Sequence, residues 1–409
     1  MRRLDDALLR EYLAIFPCVA LLGVRQCGKT TLLHTLPKRW THFDVERRAD
    51  RSVIARDPDT FLRLNPRHIT LDEAQLLPEL FPALRVAIDD HRAEKGRFVI
   101  TGSSSPALTR AISESLAGRV GIIEMAPFTW AEVTETTRRD SFLKRLLNRK
   151  AKPADLMHGL RARGTDAELQ DFWFRGGFPE PWLHRGHAFR ERWVEQYMQT
   201  YLQRDVKRLF PGLNDVRFRR FLELLGGLSG RVLNYADVAR ALDVSQPTAR
   251  DYFEIAHGTF VWRTVPAWSK NVMKRVVKHP KGYLRDTGLL HALLRIPDHD
   301  ALLSHPQFGA SWEGMVVEEV VRQFDAMGEA CEYSYYRTSG GAEVDLVVEG
   351  SFGRVAVEIK HTSTVPSRDL RGLRDFVTEQ KARLGIVINN DIVARQYDDN
   401  IIGLPMSHL

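Results

Sequence analysis

Short apolar runs punctuate the first 125 residues. Val19-Ala20-Leu21-Leu22, Ile69 to Leu71, Phe98 to Ile100 and Val120 to Met125 are brief, and the first three run into glycine, carboxylates or small hydroxyl residues. With Thr41 to Val45 they give five candidate strands separated by stretches of helical periodicity. Continuously apolar strands alternating with helices predict a parallel sheet covered on both faces, with its ligand at the carboxyl ends of the strands.

The pattern then changes. Residues 140–210 are rich in Arg, Leu and aromatic side chains and helical in spacing, broken by Gly176-Gly177-Phe178-Pro179. Asn234 to Leu242 is a short amphipathic helix, Asp243-Val244 a turn, and Ser245-Gln246-Pro247 opens a second helix with a cap residue and an early proline. Trp312 to Val320 is helical in pattern, whereas Glu343 to Val348 and Val355 to Lys360 read as strands.

Chemistry enters at the ends of the early strands. Gly23 to Thr30 spells GxxxxGK[ST] between a strand and a helix, the context that motif requires. Gly23 and Gly28 let backbone N–H groups face phosphate oxygens, Lys29 would contact the β- and γ-phosphates, and Thr30 would ligate Mg²⁺, with Thr31 opening the helix. Asp72, at the end of the second apolar run, is placed to hold Mg²⁺ through water, and Glu73 to deprotonate the attacking water. Ser103 is the candidate hydroxyl facing that water or the γ-phosphate, with Thr101 and Ser104 as close competitors. Arg119 precedes the fifth strand, as either an arginine finger for a neighbouring subunit or an ordinary surface arginine. A finger would require a homo-oligomer.

Length and charge sharpen this reading. At 409 residues the chain accommodates two or three domains, and 44% hydrophobic with 27% charged residues is a globular composition that excludes extensive disorder. The net charge of +7 is unevenly distributed: residues 1–217 carry +8, 218–282 carry +6, 283–304 carry −1 and 305–409 carry −6. Any nucleic-acid contact is therefore expected from the middle segment. Three cysteines without CxxC spacing exclude a cysteine-built zinc site or disulfide framework. The N-terminal run is too interrupted for a signal peptide, and no window offers a membrane span. A cytoplasmic protein with no membrane partner is expected.

The runs LLGVRQCGKTTLL, ITLDEAQLLPEL, VITGSSSPAL, ESLAGRV and APFTWAEV, followed by FRGGFPEPWL, YLQRDVKRL and HPKGYLRDTGLLHALL, resemble the prokaryotic family of AAA+ ATPases that carry a C-terminal domain of unknown function. The resemblance covers nearly the whole chain. It implies an α/β P-loop sheet of the AAA+/ASCE type, ATP with Mg²⁺, and a GGFP segment packed near the nucleotide, where Arg175 is a candidate second sensor and a packing turn is the alternative. Cys27 stands where a small residue is more usual, so its oxidation is expected to block nucleotide binding.

Downstream, the two short helices with extended segments at Thr259 to Pro266 and Gly282 to Leu284 read as a winged helix. Gln246, Thr248 and Arg250 would meet a DNA groove, while Lys270, Lys274, Arg275, Lys278 and Lys281 would reach phosphates. A protein-binding role is the alternative. A hairpin bringing Asp345 beside Glu358 would supply two carboxylates for a second Mg²⁺ or a Mn²⁺, with Lys360 near the attacking water or scissile phosphate. This resembles the PD-(D/E)xK nuclease core of a restriction-endonuclease-like α/β domain, completed by a helix glutamate, here Glu313. An active nuclease, a repurposed fold and a plain structural sheet all remain open. The expected organisation is an ATPase core at 1–135, a helical lid or linker at 136–217, a winged helix at 218–290 and a nuclease-like domain at 291–409. The expected function is ATP hydrolysis coupled to nucleic acid, with a nucleotide-dependent interaction switch as the alternative.

Overall fold

The computed structural model describes residues 1–103, 108, 112, 114–134, 141–184, 186–201, 206–207, 210, 212–269, 279–338 and 340–409. Five strands, β1 (Cys18–Gly23), β2 (Thr41–Asp44), β3 (Ile69–Asp72), β4 (Phe98–Ser103) and β5 (Val120–Met125), form an all-parallel sheet in the order β2-β3-β4-β1-β5. Every residue of β1 is buried because its alternate side chains enter different cores. Val19 and Leu21 face one core, and Cys18, Ala20 and Leu22 face the other. The order of strands, not their direction, reverses around β1: β2 and β3 lie on one side beyond β4, and β5 on the other. That switch point opens a crevice at the carboxyl ends of the strands.

A second sheet is small and antiparallel: β6 (Arg231–Val232), β7 (Trp262–Val265) and β8 (Lys281–Leu284), with β8 central. It is accompanied by the Tyr235–Leu242 and Gln246–Gly258 helices. Asn234 caps the first, accepting from the Ala236 N–H at 3.1 Å, and Ser245 caps the second, accepting from the Thr248 N–H at 3.2 Å. Asp243 makes the turn between them in the left-handed region, at φ 52°.

The third sheet is mixed: β9 (Glu332–Arg337), β10 (Glu343–Gly350), β11 (Gly353–Ile359), β12 (Leu384–Asn389), β13 (Arg395–Asp398) and β14 (Ile401–Pro405), in the order β13-β14-β12-β11-β10-β9. The 19-residue helix Phe308–Ala326 shares its core. Among the described residues no helix is long and apolar enough to cross a membrane.

The expected lid is divided. Helices Phe142–Leu146, Pro153–Met157 and Asp166–Arg175 join the core of the C-terminal sheet, leaving the nucleotide edge. Their aromatic residues explain why: Trp173 packs edge-on against Trp312 with centroids 5.1 Å apart, and its indole N–H donates to Ser311 Oγ at 2.9 Å. Among the described residues of this segment, Val194 and Tyr197 of the His187–Thr200 helix, together with Phe178, Tyr201 and Val206, share a core with β1 and the P-loop helix. The GGFP segment is a packing turn. Gly177 N–H donates to Asp286 Oδ2 at 2.8 Å, and a Cβ at Gly177 would lie 2.2 Å from the Phe128 carbonyl oxygen. Arg175 pairs with Asp171 on its own helix at 2.5 Å, which leaves its second-sensor role without support.

Candidate nucleotide site and C-terminal carboxylate cluster

Sheet register levels the residues of the nucleotide edge. Gly23 pairs with Ser103 on one side and Met125 on the other. Leu71 pairs with Ile100, which sets Asp72 beside Thr101. The loop after β1 needs its glycines: a Cβ at Gly23 would lie 2.0 Å from the Met125 carbonyl oxygen, and Gly28 adopts φ 100°. Lys29 is buried and donates to the Gly23 and Val24 carbonyls at 2.9 and 3.0 Å. Thr30 Oγ1 donates to Asp72 Oδ2 at 2.6 Å, so the two groups expected around Mg²⁺ are in contact, and the residues fit that ion. Thr31 is exposed on the helix that follows.

The Thr101 hydroxyl donates to the other oxygen of Asp72 and accepts from the Glu73 N–H at 3.2 Å. Glu73 itself adopts φ 55°, unusual for a side-chain-bearing residue, and its Oε2 accepts from Gln75 at 2.5 Å. Thr101 thus fixes both acids. Ser103 ends β4, but its side chain and Ser104 lie outside the described residues.

Other expectations fare differently. Arg119 lies at the opposite end of the sheet, roughly 17 Å from the loop at 3.3 Å per residue. It is held bidentately by Asp89 at 2.7 Å on each side, so it cannot serve its own chain's nucleotide. Cys27 is fully buried with its thiol 3.5 Å from the Met125 carbonyl, which shields it from oxidants. Sequence reasoning passed over Arg3, whose guanidinium donates to the Cys27 carbonyl at 2.8 Å and pairs with Glu132 at 2.9 Å, pinning the loop from behind.

The second site is assembled from four segments. Register carried one step beyond Leu346↔Val357 sets Asp345 opposite Glu358. A bulge between Val344 and Val347 lies beside it on the β9 side. Asp345 Oδ2 accepts from the Ile359 N–H at 2.8 Å, and Lys360 pairs with Glu358 at 2.8 Å. Glu313 completes the group from the long helix, accepting from the Tyr283 hydroxyl.

Lys281 is a correction. As part of the central strand β8 it is buried, so it cannot reach phosphates on a surface. Its ammonium lies 2.5 Å from Glu313, 3.4 Å from Glu343 and 3.7 Å from Asp345. Period two places Lys281 and Tyr283 on one face of β8, a signal present in the sequence but read as a wing. Among the described residues no group of three or more His, Cys, Asp or Glu is arranged to hold a metal ion; the acids are gathered around an ammonium. Burial, then the neighbouring Asp345 charge, pushes Glu313 up to about 7 and Glu358 up to about 8. Asp345 is also raised by burial.

A buried ion network ties this region to the first sheet. Arg285, just after β8, pairs with Glu124 on β5 at 2.6 Å and with Glu318 at 3.2 Å. Arg322 reaches Glu318 at 3.0 Å, and Arg263 also pairs with it. Burial opposes charge on Glu318, yet the three guanidinium groups outweigh it and hold its carboxyl well below the usual range. Of the groove candidates, Gln246 and Arg250 are exposed and Thr248 half-buried, with Arg250 over the Tyr235 ring at 5.1 Å. Lys270, Lys274, Arg275 and Lys278 lie outside the described residues.

Comparison with known proteins matches residues 16–134 to a family described as AAA domain, and residues 166–300 and 308–409 to two domains of unknown function, DUF8612 and DUF4143. Uncharacterized proteins of Mycobacterium bovis and Mycobacterium tuberculosis are each 38% identical over 390 residues, covering 94% of this chain and 79% of theirs. The chain belongs to their family, prokaryotic AAA+ ATPases with a C-terminal DUF4143 domain. A solved Walker-type ATPase of Pyrococcus abyssi is similar at 17% identity and TM-score 0.41, over 72% of this chain and 95% of that one. Membership of this AAA+ family makes the protein a nucleotide-binding ATPase of a class that uses ATP and Mg²⁺, as the P-loop geometry independently indicates.

Proposed function

We propose that the protein hydrolyses ATP with Glu73 as general base and couples turnover to nucleic acid through its middle and C-terminal units. The observation that carries the hydrolytic reading is the Thr30–Asp72–Thr101 hydrogen-bond chain with Glu73 attached to it. Thr30 and Asp72 would hold Mg²⁺, which neutralises phosphate charge. Lys29 would exchange two backbone carbonyls for phosphate oxygens, and Glu73, held in place by Thr101, would take the proton of the attacking water.

In this reading residues 1–135 are the ATPase core and 218–290 a winged helix that offers Gln246, Thr248 and Arg250 to DNA. Residues 291–409 are a PD-(D/E)xK-like unit in which Asp345, Glu358 and Glu313 take a divalent cation and Lys360 faces the scissile phosphate. The 136–217 segment links the core to that unit. A homo-oligomer would let Arg119 leave Asp89 for a neighbour's nucleotide. The Lys281 ammonium among the acids favours a second reading, in which the C-terminal unit is inactive and the protein is a nucleotide-dependent interaction switch.

One assay separates these readings. Single-stranded, double-stranded and branched DNA and RNA are incubated with Mg²⁺ or Mn²⁺, under ATP, ADP and no nucleotide, while phosphate release is followed. Cleavage abolished by Lys360→Ala is the expected result. Absence of cleavage in every condition, with ATPase activity intact, overturns the nuclease part and leaves the switch.

A further inference from the structure

The carboxylate cluster contains four acids and three bases. Among the described residues Glu313, Glu343, Asp345 and Glu358 face Lys281, Lys360 and, 3.9 Å from Glu343, Arg337, so that one positive charge is wanting when all are ionised and two once Lys281 is set aside. Glu358 is buried, and its Oε2 has no hydrogen-bond partner. A hard oxygen donor without a partner, in a group that lacks two positive charges once Lys281 is set aside, fits one divalent cation. What stands between the acids is the Lys281 ammonium, 2.5 Å from Glu313 and 3.7 Å from Asp345.

Lys281 does not belong to the unit that supplies the acids. It comes from β8, whose placement is set elsewhere. Gly282 lies under the Trp262 indole so closely that a Cβ would fall 2.2 Å from the ring. Beyond β7, Trp268 N–H donates to the Tyr335 carbonyl at 2.6 Å, which stitches the small sheet to β9. At the other end of β8, Arg285 is bonded to Glu124, next to Met125, whose carbonyl packs on Gly23 of the phosphate loop. The strand that delivers the ammonium therefore runs between the two sites.

We propose that Lys281 is a built-in counter-cation that competes with a divalent metal ion for Glu313 and Asp345, so that the carboxylate site is closed while β8 sits in its present position. This rests on reading the acids as a cation site. With Lys281 withdrawn, Glu313 and Asp345 are released toward Glu358, whose free oxygen completes a three-carboxylate set. The competition is electrostatic: one ammonium satisfies part of the charge that a divalent ion would satisfy in full.

The test is Mn²⁺ binding to the full chain without nucleotide, read by the electron paramagnetic resonance signal of free Mn²⁺. It is made in an Asp72→Asn background so that the phosphate loop contributes no metal. Lys281→Met is expected to tighten Mn²⁺ at least 10-fold over that background, Lys281→Arg to leave it weak, and Glu358→Gln added to Lys281→Met to remove the gain. Equal affinity with and without Lys281 overturns the competition while leaving the cation site standing. No Mn²⁺ on any variant overturns the cation site itself. Should Lys281→Met fail to fold, amine-selective labelling of the Asp72→Asn protein read by mass spectrometry decides the matter. Lys281 is expected to become reactive on Mn²⁺ saturation, and unchanged protection with Mn²⁺ bound overturns the proposal.

Discussion

Two buried lysines mark the two candidate sites, and they are held in different ways. Lys29 rests on two backbone carbonyls contributed by residues five and six positions before it, so its cradle is one continuous loop. Lys281 is gripped by carboxylates from a helix and a strand that follow it by 32 to 64 residues in the chain. Neutral carbonyls release an ammonium to phosphate oxygens at little electrostatic cost, whereas ionised carboxylates hold one until another cation replaces it. The first site is thus poised for ligand exchange, and the second depends on the positions of β8, the long helix and β10. A local loop tolerates distant change; an assembled cluster does not.

That contrast can be broken from either side. The largest effect is expected at Glu318, which holds the long helix to Arg263, Arg285 and Arg322. Glu318→Gln leaves buried guanidinium groups short of charge and should cost about 3–5 kcal/mol in denaturant unfolding. The pH dependence follows from the same group. Its folded-state carboxyl lies below the ordinary value of 4.5, so its contribution is complete above that pH and is lost as pH falls. Acid unfolding of Glu318→Gln should accordingly be shallower than that of the parent, and identical acid limbs would contradict the network.

Lys29→Ala should weaken ATP binding by about 100-fold or more, measured calorimetrically, while shifting Tm by only about 2 °C, because only backbone acceptors lose a partner. Gly282→Ala, by crowding Trp262, should cost about 1–3 kcal/mol and disturb the carboxylate cluster without changing ATP affinity. Matching losses of ATP affinity in both variants would erase the distinction between local and assembled sites. The smallest effect is expected at Arg119→Ala. Its pair with Asp89 is solvent-exposed and screened, so the denaturant midpoint in the same unfolding experiment should be indistinguishable from that of the parent.

Legibility in the sequence followed the same division. The five parallel strands and the phosphate loop were readable because each depends on neighbours in the chain: apolar runs, a glycine-rich turn, a lysine and a threonine. Asp345, Glu358 and Lys360 were readable as a hairpin because period two and the intervening turn fix their face. Lys281 was not, since a lysine in a basic stretch carries no mark of burial until β8 is placed at the centre of a sheet. The packing of the 136–217 helices was not legible for a related reason. Arg- and aromatic-rich helices look alike whichever core they join, and it takes contacts such as Trp173–Trp312 and the Arg383 bonds to the Leu146 and Asn148 carbonyls to assign them to the C-terminal sheet. Thr101 was one of three neighbouring hydroxyls, and strand register singles it out beside Asp72.

The central claim is that ATP bound at the phosphate loop is hydrolysed by way of Glu73. Steady-state phosphate release by Glu73→Gln, paired with its ATP affinity, addresses it most directly. The structure predicts affinity within about threefold of the parent and turnover reduced by about 10²-fold or more. Turnover at the parental rate in a variant that binds ATP normally would contradict it.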